Sequence, residues 1–354
     1  MTIRLTATIK ECETLMPTIG EELTVIIQSE AGCGKTSLLK SIEKKYGDKY
    51  DYIYVDCPVK DMSDICMTIP NHDTKTLESY VGSLFKLDSD KPKFILLDEF
   101  MKSPKLLQVI FTRMMLERHV GDTPLPKGSI VFGTSNNQAD GLGDTMMAHA
   151  GNRVCLIEMQ KPPVEDWLVW ATENGVSPLI RAFVHTFPRC LASYRDEGQE
   201  DNPYIFNPKK PVLSFVSPRS LEKASVIVSN RDKLGENLTT CALSGTIGAS
   251  ACADMSAFLR LEKELPTFDE ILEKPETTNL PDSISAQLML MFQAVDKVKQ
   301  QSDLTAFMKY TKRINSSEIQ AIFFTMMMRN SRTVKLARGN KEIADWAVKN
   351  FNIM

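Results

Sequence analysis

The chain has 354 residues, of which 43% are hydrophobic and 25% are charged, and its formal net charge is −3. This composition is typical of a folded protein with two or three domains, and the acidic balance argues against general binding of polyanions. No apolar run is long enough to cross a bilayer and no signal segment is recognisable, so we expect a cytoplasmic protein that does not contact a membrane. The eight cysteines form no Cys-x-x-Cys pair and do not cluster with the four histidines, which argues against a zinc site.

The first elements are a lead-in, a strand, a glycine-rich loop and a helix. Residues 1–22 are expected to contain no helix because Pro17 and Gly20 interrupt them. The apolar run 23–28 predicts a strand, and the pattern of 37–45 predicts a helix. The loop between them consists of Ser29, Glu30, Ala31, Gly32, Cys33, Gly34, Lys35 and Thr36.

This arrangement predicts a phosphate-binding loop, because the backbone N–H groups of a glycine-rich turn and of a helix N-terminus attract phosphate oxygens. Lys35 would reach the β- and γ-phosphates, and the Thr36 hydroxyl would bind Mg²⁺. Ser29 replaces the usual first glycine, which is compatible with the turn if its φ stays negative. The alternative is a strand-to-helix loop without a ligand. The residues expected to bind the nucleotide are Ala31, Gly32, Cys33, Gly34, Lys35, Thr36 and Ser37.

Further apolar runs predict a parallel sheet. The additional strands are expected at 52–56, 94–97, 129–134 and 154–157. Residues 60–92 are expected to form a helix and loops outside the sheet, and 104–119 has the spacing of an amphipathic helix. After Pro162 the pattern becomes helical, with helices predicted at 164–174, 177–187, 218–230 and 241–263 and a surface loop at 195–212.

The predicted fold class is therefore α/β. We expect a P-loop NTPase αβα sandwich with a parallel sheet, followed by a helical lid and a helical C-terminal extension. The expected domains are 1–160 for nucleotide binding, 161–235 for the lid and 236–354 for the extension.

Hydrolysis of a nucleoside triphosphate requires a metal holder, a group that orients water, positive charge, and a group that contacts the γ-phosphate. Asp98 and Glu99 follow the strand 94–97, so we expect Asp98 to hold Mg²⁺ with Thr36 and Glu99 to polarise the attacking water. The alternative is that Asp98 only caps the following helix. Asn136 follows the next strand and is expected to contact the γ-phosphate or that water, although an Asn there is often a turn residue.

Two arginines are candidates for the positive charge. Arg153 precedes the last predicted strand and could enter the site of a neighbouring subunit as an arginine finger; the alternative is a surface salt bridge. Arg219 follows Ser217 and Pro218 at the start of a helix, where it could fold over the phosphates. With Glu99 and Asn136, the two arginines complete the expected catalytic set.

Together these motifs resemble those of AAA+ ATPases, and more narrowly those of the MoxR branch found in bacteria and bacteriophages. The resemblance extends over about residues 20–230 and rests on 29–36, 96–99, 133–136, 152–154 and 217–221. It implies a hexameric ring that binds ATP between subunits, hydrolyses it with Mg²⁺ and remodels a protein partner, often with a von Willebrand A-domain protein.

By motif, the resemblance assigns Lys35 and Thr36 to Walker A, Asp98 and Glu99 to Walker B, Asn136 to sensor 1, Arg153 to the trans finger and Arg219 to sensor 2. The chain departs from the family pattern at Ser29. It also has no acidic residue beyond Asp144 within 143–153, which leaves Arg113 and Arg118 as alternative fingers.

Two other functions stay open. The first is an AAA+ nucleic-acid motor or loader: the pI near 5.9 argues against it, whereas Lys209, Lys210 and a group of basic residues within 329–338 favour it. The second is a scaffold that binds ATP without hydrolysing it. No motif reads the base, so GTP is an alternative to ATP. Neither the partner nor the role of the C-terminal extension follows from the sequence.

Overall fold

A computed structural model of the chain describes residues 6–136 and 152–349. The chain divides into two compact units, Met1–Pro162 and Pro163–Met354. The predicted domain boundary at residue 160 lies next to this division. The further division at residue 235, between a lid and an extension, stays a prediction.

The first unit is built on a parallel sheet of five strands, all of which coincide with apolar runs of the sequence. Numbered along the chain, the strands lie in the order β2 (Asp51–Asp56), β5 (Lys93–Asp98), β8 (Ile130–Asn136), β1 (Val25–Ser29) and β9 (Cys155–Glu158). Every neighbouring pair is parallel. The carboxyl ends of the strands, where Ser29, Asp98 and Asn136 lie, therefore meet at one edge of the sheet.

Helices cover both faces of this sheet. Leu97 belongs to the core beneath α4 (Lys105–Glu117). Leu96, its neighbour on the strand, belongs to the opposite core, which α1 (Ile9–Ile19) and α2 (Ser37–Tyr46) cover. Successive residues of a buried strand thus serve two different cores. The predicted α/β sandwich is confirmed.

The segment before β1 contains a helix, so the expectation of a helix-free lead-in is wrong. α1 begins with a capping box in which the Thr8 hydroxyl accepts from the Glu11 N–H and the Glu11 carboxylate accepts from the Thr8 N–H. Pro17 lies in the last turn of α1, where it removes only one hydrogen bond. Burial of Cys12 and Met16 against the sheet stabilises the helix despite this loss.

The region 60–92 also differs from its prediction, because it contains a β-hairpin besides a short helix and loops. β3 (Cys66–Asn71) pairs antiparallel with β4 (Thr76–Val81). The Asn71 side chain accepts two backbone hydrogen bonds within the turn and thereby stabilises it. The other short elements of the first unit are α3 (Met62–Ile65), β6 (His119–Val120), β7 (Thr123–Pro124) and the 3₁₀ turns Gly47–Lys49, Cys57–Val59, Ser83–Phe85 and Phe100–Lys102.

The second unit is helical in its described part, as predicted. Its helices are α5 (Val164–Glu173), α6 (Pro178–Thr186), α7 (Pro218–Ser229), α8 (Arg231–Ile247), α9 (Ala249–Glu262), α10 (Phe268–Glu273), α11 (Ile284–Lys297), α12 (Gln301–Thr311), α13 (Ser317–Arg329), α14 (Val334–Gly339) and α15 (Lys341–Lys349), with a 3₁₀ turn at Pro188–Leu191. The single helix predicted at 241–263 is interrupted at Gly248, whose φ of 84° is unsuited to a helix.

One hydrophobic core runs through the helices of this unit and encloses an ion pair. Arg181 is fully buried; its guanidinium donates to the Thr172 hydroxyl at 2.9 Å and pairs with the carboxylate of Asp296. Burial lowers the pKa of Arg181 and raises the pKa of Asp296, and the attraction between the two charges opposes both shifts. None of the helices in the described residues combines the length and the apolar character needed to cross a membrane.

Candidate functional site

The predicted phosphate loop connects β1 to α2. Gly32 and Gly34 take φ values of 77° and 95°, in the region that favours glycine. Ser29, at the position of the usual first glycine, is the last residue of β1 and keeps a strand conformation. The condition for this substitution is therefore met.

The loop offers backbone amides to an anion. Among residues 6–136 and 152–349, no backbone hydrogen bond is donated by the N–H groups of Gly32, Gly34 and Thr36. The Ser37 hydroxyl donates to the Gly34 carbonyl at 2.6 Å and ties the loop to the first turn of α2. Amides left without a partner at the start of a helix fit phosphate oxygens.

The Lys35 side chain lies across this loop and is only 7% exposed. Its ammonium group donates to Asn136 Oδ1 at 2.7 Å, to the carbonyl and hydroxyl oxygens of Ser29 at 3.2 Å each, and to the Glu30 carbonyl at 3.4 Å. The structure thus brings together the predicted Walker A lysine and the predicted sensor 1 asparagine, which are 101 positions apart in the chain.

Asp98 ends β5 and accepts hydrogen bonds from three side-chain hydroxyls. Its Oδ2 atom accepts from Thr36 at 2.9 Å and from Tyr54 at 3.0 Å, and its Oδ1 atom accepts from Thr134. Burial and the charge of Asp98 raise the pKa of Tyr54, which therefore remains a donor. Hydroxyl and carboxylate oxygens suit Mg²⁺, so the predicted pair of Thr36 and Asp98 fits this ion. The capping alternative for Asp98 does not hold, because Glu99 directly precedes the 3₁₀ turn Phe100–Lys102, no side chain caps that turn, and α4 begins only at Lys105.

Glu99 has a left-handed backbone, with φ 51° and ψ 35°. Its N–H donates to the Thr134 hydroxyl at 3.1 Å, and its carboxylate accepts from Asn136 Nδ2 at 3.3 Å and from Lys102 Nζ at 2.8 Å. A side chain other than glycine rarely adopts this conformation, and such strain is concentrated at functional sites. The carboxylate is about one-third exposed and so accessible to water.

The structure does not bring Arg153 to the site of its own chain. Arg153 is exposed and precedes β9 at the amino edge of the sheet, whereas the phosphate loop lies at the carboxyl edge. The register of β9 with β1 separates Arg153 from Ser29 by about 20 Å along the strands. Arg219 is exposed at the start of α7 in the second unit, where the Ser217 hydroxyl caps the helix.

The two alternative fingers have different environments. Arg113 is exposed and pairs with Glu117 and Asp122. Arg118 is partly buried, and its guanidinium donates to the Thr24 hydroxyl at 2.7 Å and to the Gly20 carbonyl at 2.8 Å. Arg118 therefore has a structural role, and it would have to give up these hydrogen bonds to enter the site of another subunit. Asp144 and most of 143–153 lie outside the described residues.

Several residues of the site were missed by the sequence interpretation. Tyr54, Thr134 and Lys102 bind Asp98 or Glu99, but motif spacing does not predict the sheet register that places them there.

The sequence interpretation also missed a buried ion pair beside the loop, between Glu30 and Lys161, whose charged atoms are 2.9 Å apart. The Cys33 side chain in the loop is buried, and burial raises the pKa of its thiol to about 11.

The phosphate loop and the Asp98–Glu99 pair, carried by a five-stranded parallel sheet with a helical region after it, define a P-loop NTPase-like fold. A family model described as the viral superfamily 1 RNA helicase core domain matches residues 25–116, a segment that includes the loop and the acidic pair. The match covers about a quarter of the chain. No curated protein matches the sequence.

Solved structures with related folds include RuvB from Thermotoga maritima, described as a Holliday junction branch migration motor. It is 14% identical, with 86% of each chain covered and a TM-score of 0.35. NtrX from Brucella abortus in complex with ADP is also 14% identical, with 99% of this chain and 70% of that chain covered and a TM-score of 0.34.

Proposed function

We propose that the protein is an AAA+ ATPase, similar to the MoxR branch, which hydrolyses ATP with Mg²⁺ and uses the energy to remodel a protein partner. The observation that carries this proposal is the linkage of Lys35 to Asn136 and of Asn136 to Glu99 by hydrogen bonds. Beside it, Thr36 is linked to Asp98. Groups suited to bind phosphate, hold a metal and orient water thus lie together at one edge of the sheet.

Each residue has a distinct part in the proposed reaction. The loop amides and Lys35 bind the phosphates and neutralise their charge. Mg²⁺, held by Thr36 and Asp98, would stabilise charge that develops on the phosphate oxygens. Glu99 orients and polarises the attacking water, and Asn136 holds the Glu99 carboxylate toward the phosphate end of the loop.

We also propose that the protein acts as a ring, with a hexamer as the expected form. The position of Arg153, exposed at the sheet edge opposite the loop, supports a role in the site of an adjacent copy. Arg219 would complete the site as sensor 2. The protein partner, with a von Willebrand A-domain protein as one candidate, and the use of ATP in preference to GTP belong to the same proposal.

Phosphate release by the full chain with ATP and Mg²⁺ tests the proposed reaction. Replacement of a catalytic acid–base group costs about 10²–10⁴ in rate. We therefore expect Glu99→Gln to lower kcat by at least about 100-fold while nucleotide binding is retained. Glu43→Gln is the matched control, since Glu43 is exposed near the end of α2 and is not among the site candidates. Equal rates in the wild type and Glu99→Gln, or no release by either, would contradict the proposal.

The helicase-type match at 25–116 favours a second candidate, a nucleic-acid motor with the same nucleotide site. Such a motor would bind single-stranded RNA or DNA with an affinity that falls steeply as salt rises, because phosphate contacts release counterions. Stimulation of phosphate release by a single strand, lost at high salt, would favour this candidate over a protein remodeller.

A further inference from the structure

Asp98 has a hydrogen-bond partner that lies outside the phosphate-loop motifs, the hydroxyl of Tyr54. Tyr54 lies on β2, the strand at the edge of the sheet next to β5. The register pairs Tyr54 with Leu96, two residues before Asp98. Paired residues of parallel strands share a face, as do residues two apart on one strand. The phenol therefore extends along the sheet surface toward the Asp98 carboxylate and donates to Oδ2 at 3.0 Å.

The three hydroxyls that contact Asp98 divide between its two oxygens. Thr134 holds Oδ1, while Thr36 and Tyr54 both donate to Oδ2. A carboxylate that accepts hydrogen bonds on both oxygens cannot rotate about its Cβ–Cγ bond without losing these contacts. Asp98 Oδ2 is thereby kept beside the Thr36 hydroxyl. These are the two oxygens that are proposed to hold Mg²⁺.

The two tyrosines of β2 differ in their hydroxyl contacts. Tyr54 is 42% exposed as a whole residue, and its hydroxyl donates to the Asp98 carboxylate. Tyr52, two residues earlier on the same face of β2, has a buried hydroxyl without a hydrogen-bond partner among the described residues. The strand therefore carries two tyrosines of which one contacts the metal-holding carboxylate and the other does not.

We propose that Tyr54 is a positioning residue for the metal, which fixes the Asp98 carboxylate in the orientation that binds Mg²⁺ together with Thr36. This inference rests on the proposed function. Partners that orient metal-binding side chains typically contribute about 10–100-fold in metal affinity or activity. Loss of the Tyr54 hydroxyl should therefore weaken the binding of Mg²⁺ without unfolding the protein.

The experiment compares the full chain with Tyr54→Phe and with the matched control Tyr52→Phe. Binding of N-methylanthraniloyl-ADP is followed by fluorescence while Mg²⁺ is titrated, and phosphate release from ATP is measured over the same Mg²⁺ range. Tyr54→Phe should raise the half-saturating Mg²⁺ concentration about tenfold in both measurements. At saturating Mg²⁺, kcat should stay within about twofold of the wild type, since Tyr54 contacts Asp98 and not the reacting groups. Tyr52→Phe should leave the Mg²⁺ requirement unchanged.

The possible outcomes are distinguishable. An unchanged Mg²⁺ requirement in Tyr54→Phe, or an equal rise in Tyr52→Phe, overturns the role of Tyr54 while the proposed function stands. A fall in kcat that saturating Mg²⁺ does not restore also overturns it. Nucleotide binding by the wild type that does not respond to Mg²⁺ overturns the proposed function and this inference together.

Discussion

Thr134→Val should weaken both the first unit and its catalytic site, because one hydroxyl serves two groups. The Thr134 hydroxyl donates to Asp98 and accepts from the backbone N–H of Glu99. Thr134 is fully buried on β8, so water cannot replace either bond. Valine has a similar shape and favours strands, so the substitution removes the hydrogen bonds with little change to the backbone.

The expected loss of stability follows from these two bonds. A hydrogen bond to a charged group contributes about 1.5–3 kcal/mol, and a buried donor left without a partner costs about 1–3 kcal/mol. We therefore expect Thr134→Val to lower the free energy of unfolding by about 3 kcal/mol, or the Tm of the first unit by about 10 °C. Glu99 loses the contact that holds its left-handed backbone, so kcat for phosphate release should fall as well.

Thermal unfolding followed by far-UV circular dichroism and by tryptophan fluorescence measures this effect. All three tryptophans lie after residue 162, so fluorescence reports on the second unit and circular dichroism reports on both units. Ser135→Ala is the matched control, since the buried Ser135 hydroxyl has no hydrogen-bond partner among the described residues. Equal destabilisation by Ser135→Ala, or a loss of less than about 1 kcal/mol in Thr134→Val, would show that the two hydrogen bonds of Thr134 do not stabilise the first unit.

Two further predictions concern the second unit. Asp296→Ala leaves the fully buried Arg181 guanidinium without its counter-charge, so the free energy of unfolding should fall by about 3–5 kcal/mol in a urea titration followed by fluorescence. Asp201→Ala removes an exposed ion pair and should lower it by less than about 1 kcal/mol. Comparable losses in the two variants would contradict a special role of the buried pair. Burial lowers the pKa of His185, so the unfolded chain binds the proton more readily and stability should fall as the pH drops below 6.5. His185→Gln should flatten that dependence between pH 5 and 7; an unaltered slope would argue against it.

The sequence was sufficient for the sheet and the phosphate loop because their signals are local. Continuous apolar runs such as 94–97 mark strands buried on both faces, and the glycine spacing marks the loop. The two errors in the first unit arose where tertiary contacts decide. Pro17 is tolerated in α1 because that helix packs against the sheet, and the pairing of β3 with β4 stabilises a segment of mixed polarity.

The candidate site shows the same division between local and long-range information. Asp98 and Asn136 were predicted because they stand at the ends of the apolar runs that mark β5 and β8, and Lys35 because it belongs to the glycine-rich loop after β1. Tyr54 escaped notice because its contact depends on the register between β2 and β5, which a single sequence does not encode in any short pattern. The pairing of Glu99 with Lys102 was missed for a related reason, since it requires the 3₁₀ turn after β5.

The proposed nucleotide site is best tested by a crystal structure of the full chain with Mg²⁺ and a non-hydrolysable ATP analogue. We expect a terminal phosphate bound by the loop amides from Gly32 to Thr36 and by the Lys35 ammonium, which exchanges its bond to Asn136 for phosphate oxygens. A loop that stays empty at saturating analogue, with Lys35 still bonded to Asn136, would contradict it.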